Sequence, residues 1–223
     1  MTTLTRTLQN NWLIYIALLL TLLALLALSP AEATLGNVVK IVYAHGAAQR
    51  IATYAYLIAG GLGVIALSLR AAKRRGNLQS TSGIASSQRT LLAMTFENWT
   101  QAVTETAIVF WFAHILISVP AQVLAWGALT LDEPRVASAL WILAFTALVY
   151  IVARWIGEAS WLSMAAIVNT VILFIVLRGA VNILHPIDPI IASDSLTIKG
   201  FYAAIVVTMG LLAFQLARNR AKA

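Results

Sequence analysis

Three histidines, His45, His114 and His185, are the side chains of this 223-residue chain best suited to coordination or proton chemistry. A neutral imidazole carries one lone-pair nitrogen, so two imidazoles facing one another can ligate one metal ion, whereas a solitary imidazole is often only solvated or hydrogen-bonded. Cysteine is absent, which excludes disulfides, thiolate metal sites, iron–sulfur ligation and a Cys-x-x-Cys-His attachment. Glu105 shares an apolar run with His114, but nine helical residues turn the chain by roughly 900°, which puts the two on opposite faces. Glu105 instead lines up with Asn98 and Gln101 in a short polar stripe, a pattern that suits helix-packing glue better than a second polar site. Between Trp126 and Arg135, Asp132 or Glu133 followed by Pro134 reads as a helix start, and Asp194-Ser195 reads as another. Arg135 carries a planar fork able to bind a carboxylate. No catalytic nucleophile constellation, Gly-rich phosphate loop or internal repeat occurs, so the pattern fits neither an enzyme of the nucleophilic type nor a Walker-type transporter.

The elements that must position these residues are membrane helices. Apolar side chains make up 61% of the sequence and charged ones 10%, with a mean hydropathy of +0.86, far from the balance of soluble domains. Apolar runs near 12–28, 51–69, 100–119, 137–153, 161–177 and 200–217 each approach the length of a spanning helix. None alternates with period 2, so a barrel is excluded and the backbone must satisfy its hydrogen bonds within helices. The expected architecture is therefore all-α: a single integral domain over 1–223, built as a bundle of six transmembrane helices.

The net charge of +7 arises from Lys and Arg flanking the apolar runs, a membrane-topology pattern rather than one for nucleic acid. With both termini cytoplasmic, ten cations fall inside (Arg6, Arg70, Lys73, Arg74, Arg75, Arg89, Arg154, Arg218, Arg220 and Lys222). Five fall outside: Lys40, Arg50, Arg135, Arg178 and Lys199. This topology puts His45 before the second helix and His185 between the fifth and sixth, both in outer segments. Two such histidines, held opposite each other, would suit the axial positions of a b-type haem. Arg6, the run to Leu28 and Ala31-Glu32-Ala33 imitate a secretory signal, although a retained first helix is the expectation. The stretch Arg70–Arg89, basic and then Ser/Gly-rich, is expected to be a flexible connection lying against anionic lipid headgroups.

Three segments carry a family resemblance. Val42-Tyr43-Ala44-His45-Gly46-Ala47-Ala48, then Trp126-Gly127 with Glu133, Arg135 and Ser138, then Leu184-His185-Pro186 with Ile187-Asp188-Pro189, resemble the haem-handling membrane proteins of cytochrome c maturation. The likeness is to the six-helix member that loads haem onto a periplasmic haem chaperone, and it runs in order and spacing along nearly the whole chain. It implies haem b as the bound group, His45 and His185 as axial iron ligands, and Trp126, Arg135 and Arg178 as further haem contacts. It also implies a multi-pass protein of a prokaryotic cytoplasmic membrane. Implied partners are haem, membrane lipids, and the haem chaperone or other maturation proteins. The family loop reads approximately Trp-Gly-x-Trp-Trp-x-Trp-Asp-x-Arg. Here Leu129, Thr130 and Asp132 replace the later tryptophans, and Glu133 replaces the aspartate.

Loss of those aromatic faces weakens a transfer platform more than it weakens axial ligation. The alternative reading is consequently an integral subunit of a respiratory or photosynthetic electron-transfer complex that keeps the fold, with or without haem b. A small transporter ranks behind both, because paired halves with broken helices are missing.

Overall fold

The computed structural model describes residues 3–76, 83–181, 190 and 193–222; side chains are described from Trp12 onward, except those of 73–76, 83–87 and 89. His185 and Asp188 lie outside the described residues. The described chain is all-helical: α1 (Thr3–Leu28), α2 (Val39–Gly76), α3 (Gly83–Trp126), α4 (Pro134–Ile156), α5 (Ala159–Gly179) and α6 (Leu196–Ala221). Five of these are long and apolar enough to cross a membrane, and α1 contributes a shorter apolar stretch, Trp12–Leu28.

Each expected apolar run lies inside one helix, but α2 and α3 are much longer than their runs. At 1.5 Å per residue, the 38 residues of α2 and 44 of α3 reach about 57 and 66 Å, roughly twice a bilayer's hydrocarbon thickness. Within the Arg70–Arg89 stretch the described residues are helical, α2 continuing to Gly76 and α3 starting at Gly83, and 77–82 lie outside the described residues. This corrects the expectation of a loop. The Arg70 guanidinium bonds both carboxylate oxygens of Glu97, which zips this extension of α2 to α3. A bidentate pair of this kind holds two helices more firmly than a single contact does.

Asn219 Nδ2 donates to the Tyr15 hydroxyl at 3.1 Å, so the start of α1 and the finish of α6 share one end of the bundle. We call this the termini end. The other end collects the close of α1, α3 and α5 and the start of α2, α4 and α6.

Small residues set the packing distance. Ala44, Ala47, Ala48, Ala52, Ala55, Ala59 and Ala66 of α2 are buried, and Ala102 and Ala107 of α3 are buried with them. Lipid is as apolar as leucine, so close backbone approach and van der Waals contact drive helix association there. At Gly63 a Cβ would sit 2.6 Å from the Ser163 carbonyl oxygen of α5, so only glycine fits. Two layers of core result. Tyr43, Ile51, Tyr202, Ile205 and Met209 join α2 to α6 with α1 against them, and Tyr56, Trp111, Ile142 and Leu173 tie α2 to α5 together. The outer surface is apolar, with Leu20, Leu23, Ile151 and Ile175 all exposed. A water-soluble monomer does not carry such a belt. Trp12, Trp155 and Trp161 are exposed near the termini end, where tryptophan suits a headgroup interface.

Candidate functional site

The end opposite the termini is organised by α2, which starts twelve residues earlier than the apolar run 51–69 suggests. Ala-rich sequence from Val39 to Arg50 favours helix, and its buried face, Tyr43, Ala44, Ala47 and Ala48, packs into the α1/α6 core. Lys40 Nζ donates to the Ala27 carbonyl at 2.7 Å, satisfying an oxygen at the close of α1. Glu32 accepts from the Thr34 and Leu35 amides, both at 2.8 Å, and these bonds hold its carboxyl below the ordinary range. His45 is thus a residue of the second helix, not of a segment preceding it. That placement corrects the expectation.

Inside the helix His45 meets His114 of α3. The two rings have centroids 4.3 Å apart and planes inclined by 31°. His45 Nδ1 lies 3.3 Å from the His114 carbonyl oxygen, and His114 Nδ1 lies 3.4 Å from the His45 carbonyl oxygen. His114 is buried, at 4% exposure. Trp111 stands beside it, with the rings 5.3 Å apart. Trp111 is wholly enclosed, and its Nε1 donates to the Ala139 carbonyl of α4 at 2.9 Å. The hydrogen bond of His114 to another helix follows the plainest reading of that residue; the partner does not follow from the sequence.

The remaining candidates occupy the same end. Trp126 closes α3, partly exposed, and Gly127 follows with φ of 77°, the left-handed turn that a helix C-terminus uses. Glu133 is the N-cap of α4, its Oε2 accepting from the Arg135 and Val136 amides at 2.8 and 2.9 Å, and Pro134 begins the helix. Arg135 is half-buried in that first turn, and Arg178 is exposed in the last turn of α5. Ser195 caps α6 through the Ile198 amide. The loop between α3 and α4 is folded back: Gln122 Oε1 accepts from the amide and hydroxyl of Thr130, both at 3.3 Å, while Leu129 and Leu131 are exposed.

Two axial imidazoles each point a ring nitrogen at the iron from opposite faces of the macrocycle, so their rings stand end-on to it with the whole macrocycle between them. His45 and His114 instead lie ring against ring, with centroids 4.3 Å apart, so this pair cannot ligate one haem from opposite faces. His45 itself fits a ligand's requirements: iron-binding imidazoles commonly donate their other N–H to a carbonyl, which is the bond Nδ1 makes here. The expected second ligand, His185, lies outside the described residues. Among the described residues no group of three or more His, Asp or Glu could hold a metal ion.

Toward the termini end, Glu105 gathers a second polar cluster. It accepts from Gln101 Nε2 at 3.0 Å and from the Tyr150 hydroxyl of α4, and lies 3.5 Å from Arg220 Nε of α6. Three helices meet on one carboxylate. The Gln101 contact realises the polar stripe, and the partners from α4 and α6 were not evident from the sequence.

Comparison with protein-family models, curated proteins and solved structures finds no match.

Proposed function

We propose that this chain is a haem-handling membrane protein for c-type cytochrome biogenesis, acting as carrier and docking surface rather than as an enzyme. Both termini would be cytoplasmic, as the ten-to-five cation asymmetry favours, and the His45 end would face the outside of a prokaryotic cytoplasmic membrane. The observation that carries the reading is His45, packed on α2 near that outer end with Nδ1 committed to a backbone carbonyl. The family resemblance of the three segments around His45, Trp126–Ser138 and His185 supports it. Nε2 of His45 and a nitrogen of His185 would hold the iron, with Arg135 and Arg178 available to the propionates. Bound haem supplies a redox-active, flat apolar cargo. The chain's contribution is to orient it and hand it to a haem chaperone or another maturation partner.

One observation favours the second reading, an electron-transfer subunit. Leu129, Thr130 and Asp132 stand where an aromatic platform is expected, and Thr130 is tied down to Gln122. Such a loop retains better than it presents.

The deciding experiment is an optical spectrum of the purified protein, oxidised and dithionite-reduced, before and after reconstitution with haem. A low-spin bis-histidine spectrum that changes in both His45→Ala and His185→Ala supports the assignment. Absence of haem binding, or an unchanged spectrum in both variants, defeats it. Restoration of holo-cytochrome c in a strain lacking the corresponding maturation protein would select the biogenesis reading. Failure to restore, with stable co-purification in an oxidoreductase, would select the second.

A further inference from the structure

We propose that the cleft between α1 and α3, at the end opposite the termini, holds one acyl chain of an anionic glycerophospholipid, with the Lys40 ammonium at its mouth paired to the lipid's phosphate. The proposal does not depend on haem.

Among the described residues α1 packs on α6 and α2, and its backbone nowhere approaches that of α3. The gap is a cleft of about 320 Å³, lined by Leu26 and Ala27 of α1, Lys40, Ile41 and Ala44 of α2, and Ile117 of α3. Apart from the Lys40 ammonium, every one of these side chains is a hydrocarbon. Water finds no partners in such a lining, and apolar cavities stay dry. Beside the cleft Leu28 and Leu116 are exposed on the apolar belt, so it opens sideways toward hydrocarbon and a lipid chain can enter without leaving the bilayer.

The level of the mouth fixes which part of a lipid meets Lys40. Its Nζ donates to the Ala27 carbonyl at 2.7 Å, and Ala27 is the penultimate residue of the apolar stretch Trp12–Leu28. The ammonium therefore stands at the edge of the hydrocarbon, where lipid phosphates lie, while its stem covers apolar surface. An ammonium has three N–H donors, and the Ala27 bond uses one to hold the charge across the mouth. The acid of the same connection, Glu32, turns its Oε2 to the Thr34 and Leu35 amides. A lysine at this level favours an anionic headgroup over a zwitterionic one. Ile41 and Ile117 lie one helical turn from His45 and His114, so the occupied cleft adjoins the histidine pair.

The whole chain, purified in detergent, is equilibrated with equal amounts of phosphatidylglycerol and phosphatidylcholine, and its bound lipid is counted by native mass spectrometry. One tightly retained phosphatidylglycerol is expected. Ala27→Trp fills the cleft from an exposed position and should abolish that retention. Lys40→Gln keeps a donor for the Ala27 carbonyl but removes the charge. Its preference for phosphatidylglycerol should fall about fivefold, the factor that one lysine near a charged lipid surface represents, and Lys40→Arg should restore it. Lys199→Gln, which alters an exposed cation of the same end outside the cleft, should change nothing. Retention of neither lipid, or of both equally, by the wild-type chain overturns the proposal without any variant needing to fold. Unchanged retention in a folded Ala27→Trp overturns the cleft as the site, and an unchanged preference in Lys40→Gln overturns the part given to the ammonium. A dimer that Ala27→Trp dissociates would show that a second copy of the chain fills the cleft, and it would overturn the proposal too.

Discussion

The His45–His114 pair and the Glu105 cluster both put polar side chains between membrane helices, and they do so by opposite means. At the first, the Nδ1 atoms of two rings lie 3.3 and 3.4 Å from backbone oxygens of the facing helix. At the second, one carboxylate collects an amide, a phenol and a guanidinium from three helices. Saturating a carboxylate in this way makes a joint, because every group that could exchange a proton or a cation is committed to a neighbour. Two imidazoles, whose chemistry is proton and metal exchange, make a tool instead. The same membrane penalty on polar groups therefore yields structure at one end and a candidate site at the other.

The largest expected effect comes from the support behind the imidazoles. Trp111→Ala removes the wholly buried indole that packs on both His114 and Tyr56. Large-to-small core substitutions of aromatics cost roughly 3–5 kcal/mol in soluble proteins, and the lower end, about 3 kcal/mol, is expected where lipid replaces water outside. Thermal unfolding in detergent measures it. Haem binding should fall in Trp111→Ala and survive in an equally destabilised variant at the other end. Equal retention in both would mean that the two regions do not differ in function.

Next comes Glu105→Leu, which leaves Tyr150 and Gln101 without their acceptor and Arg220 without its counter-charge. Stranding donors in this way costs about 1–3 kcal/mol. Haem affinity should not move. A transporter-like role for Glu105 predicts the reverse, a loss of function with stability kept, and that outcome would remove the distinction between joint and tool.

The difference in legibility between the two regions follows from what fixes each. The six helices are readable from apolar length alone, and the caps at Glu133 and Ser195 are readable because an N-cap is a local contract between a side chain and the next turn. Gln101 with Glu105 is likewise an i, i+4 pair on one helix. His45 with His114 is a contact across 69 positions, and it depends on extending α2 back to Val39. The small, helix-favouring residues Ala44, Ala47 and Ala48 were the available signal, and Trp111 and His114 at i, i+3 already marked one face of α3. Tyr150 and Arg220 converge on Glu105 only through the three-dimensional order of α3, α4 and α6, which periodicity does not encode.

Within the joint, Tyr150→Phe isolates a single interhelical bond. Polar contacts between membrane helices average about 0.6 kcal/mol in double-mutant cycles and reach about 1.7. The Tyr150 phenol should fall near the upper figure because its acceptor is a carboxylate. A loss above that of Glu105→Leu would show that the Tyr150 hydroxyl stabilises the bundle through a partner besides the carboxylate.

The smallest effect is expected at Arg220, whose side chain is 63% exposed and whose Nε stands 3.5 Å from Glu105. Coulomb attraction across a contact open to solvent is screened, and the long side chain loses rotamer freedom to make it, so Arg220→Gln should cost below about 1 kcal/mol and less at high salt. Removing Tyr150 and Arg220 together then measures how the carboxylate divides its binding between a neutral donor and a charged one. If Glu105 is held chiefly by Tyr150 and Gln101, the double variant should equal the sum of the singles within about 0.5 kcal/mol. A coupling of 1 kcal/mol or more would mean that the guanidinium orders the carboxylate for the phenol. The C-terminal turn of α6 would then be part of the joint rather than a screened neighbour of it.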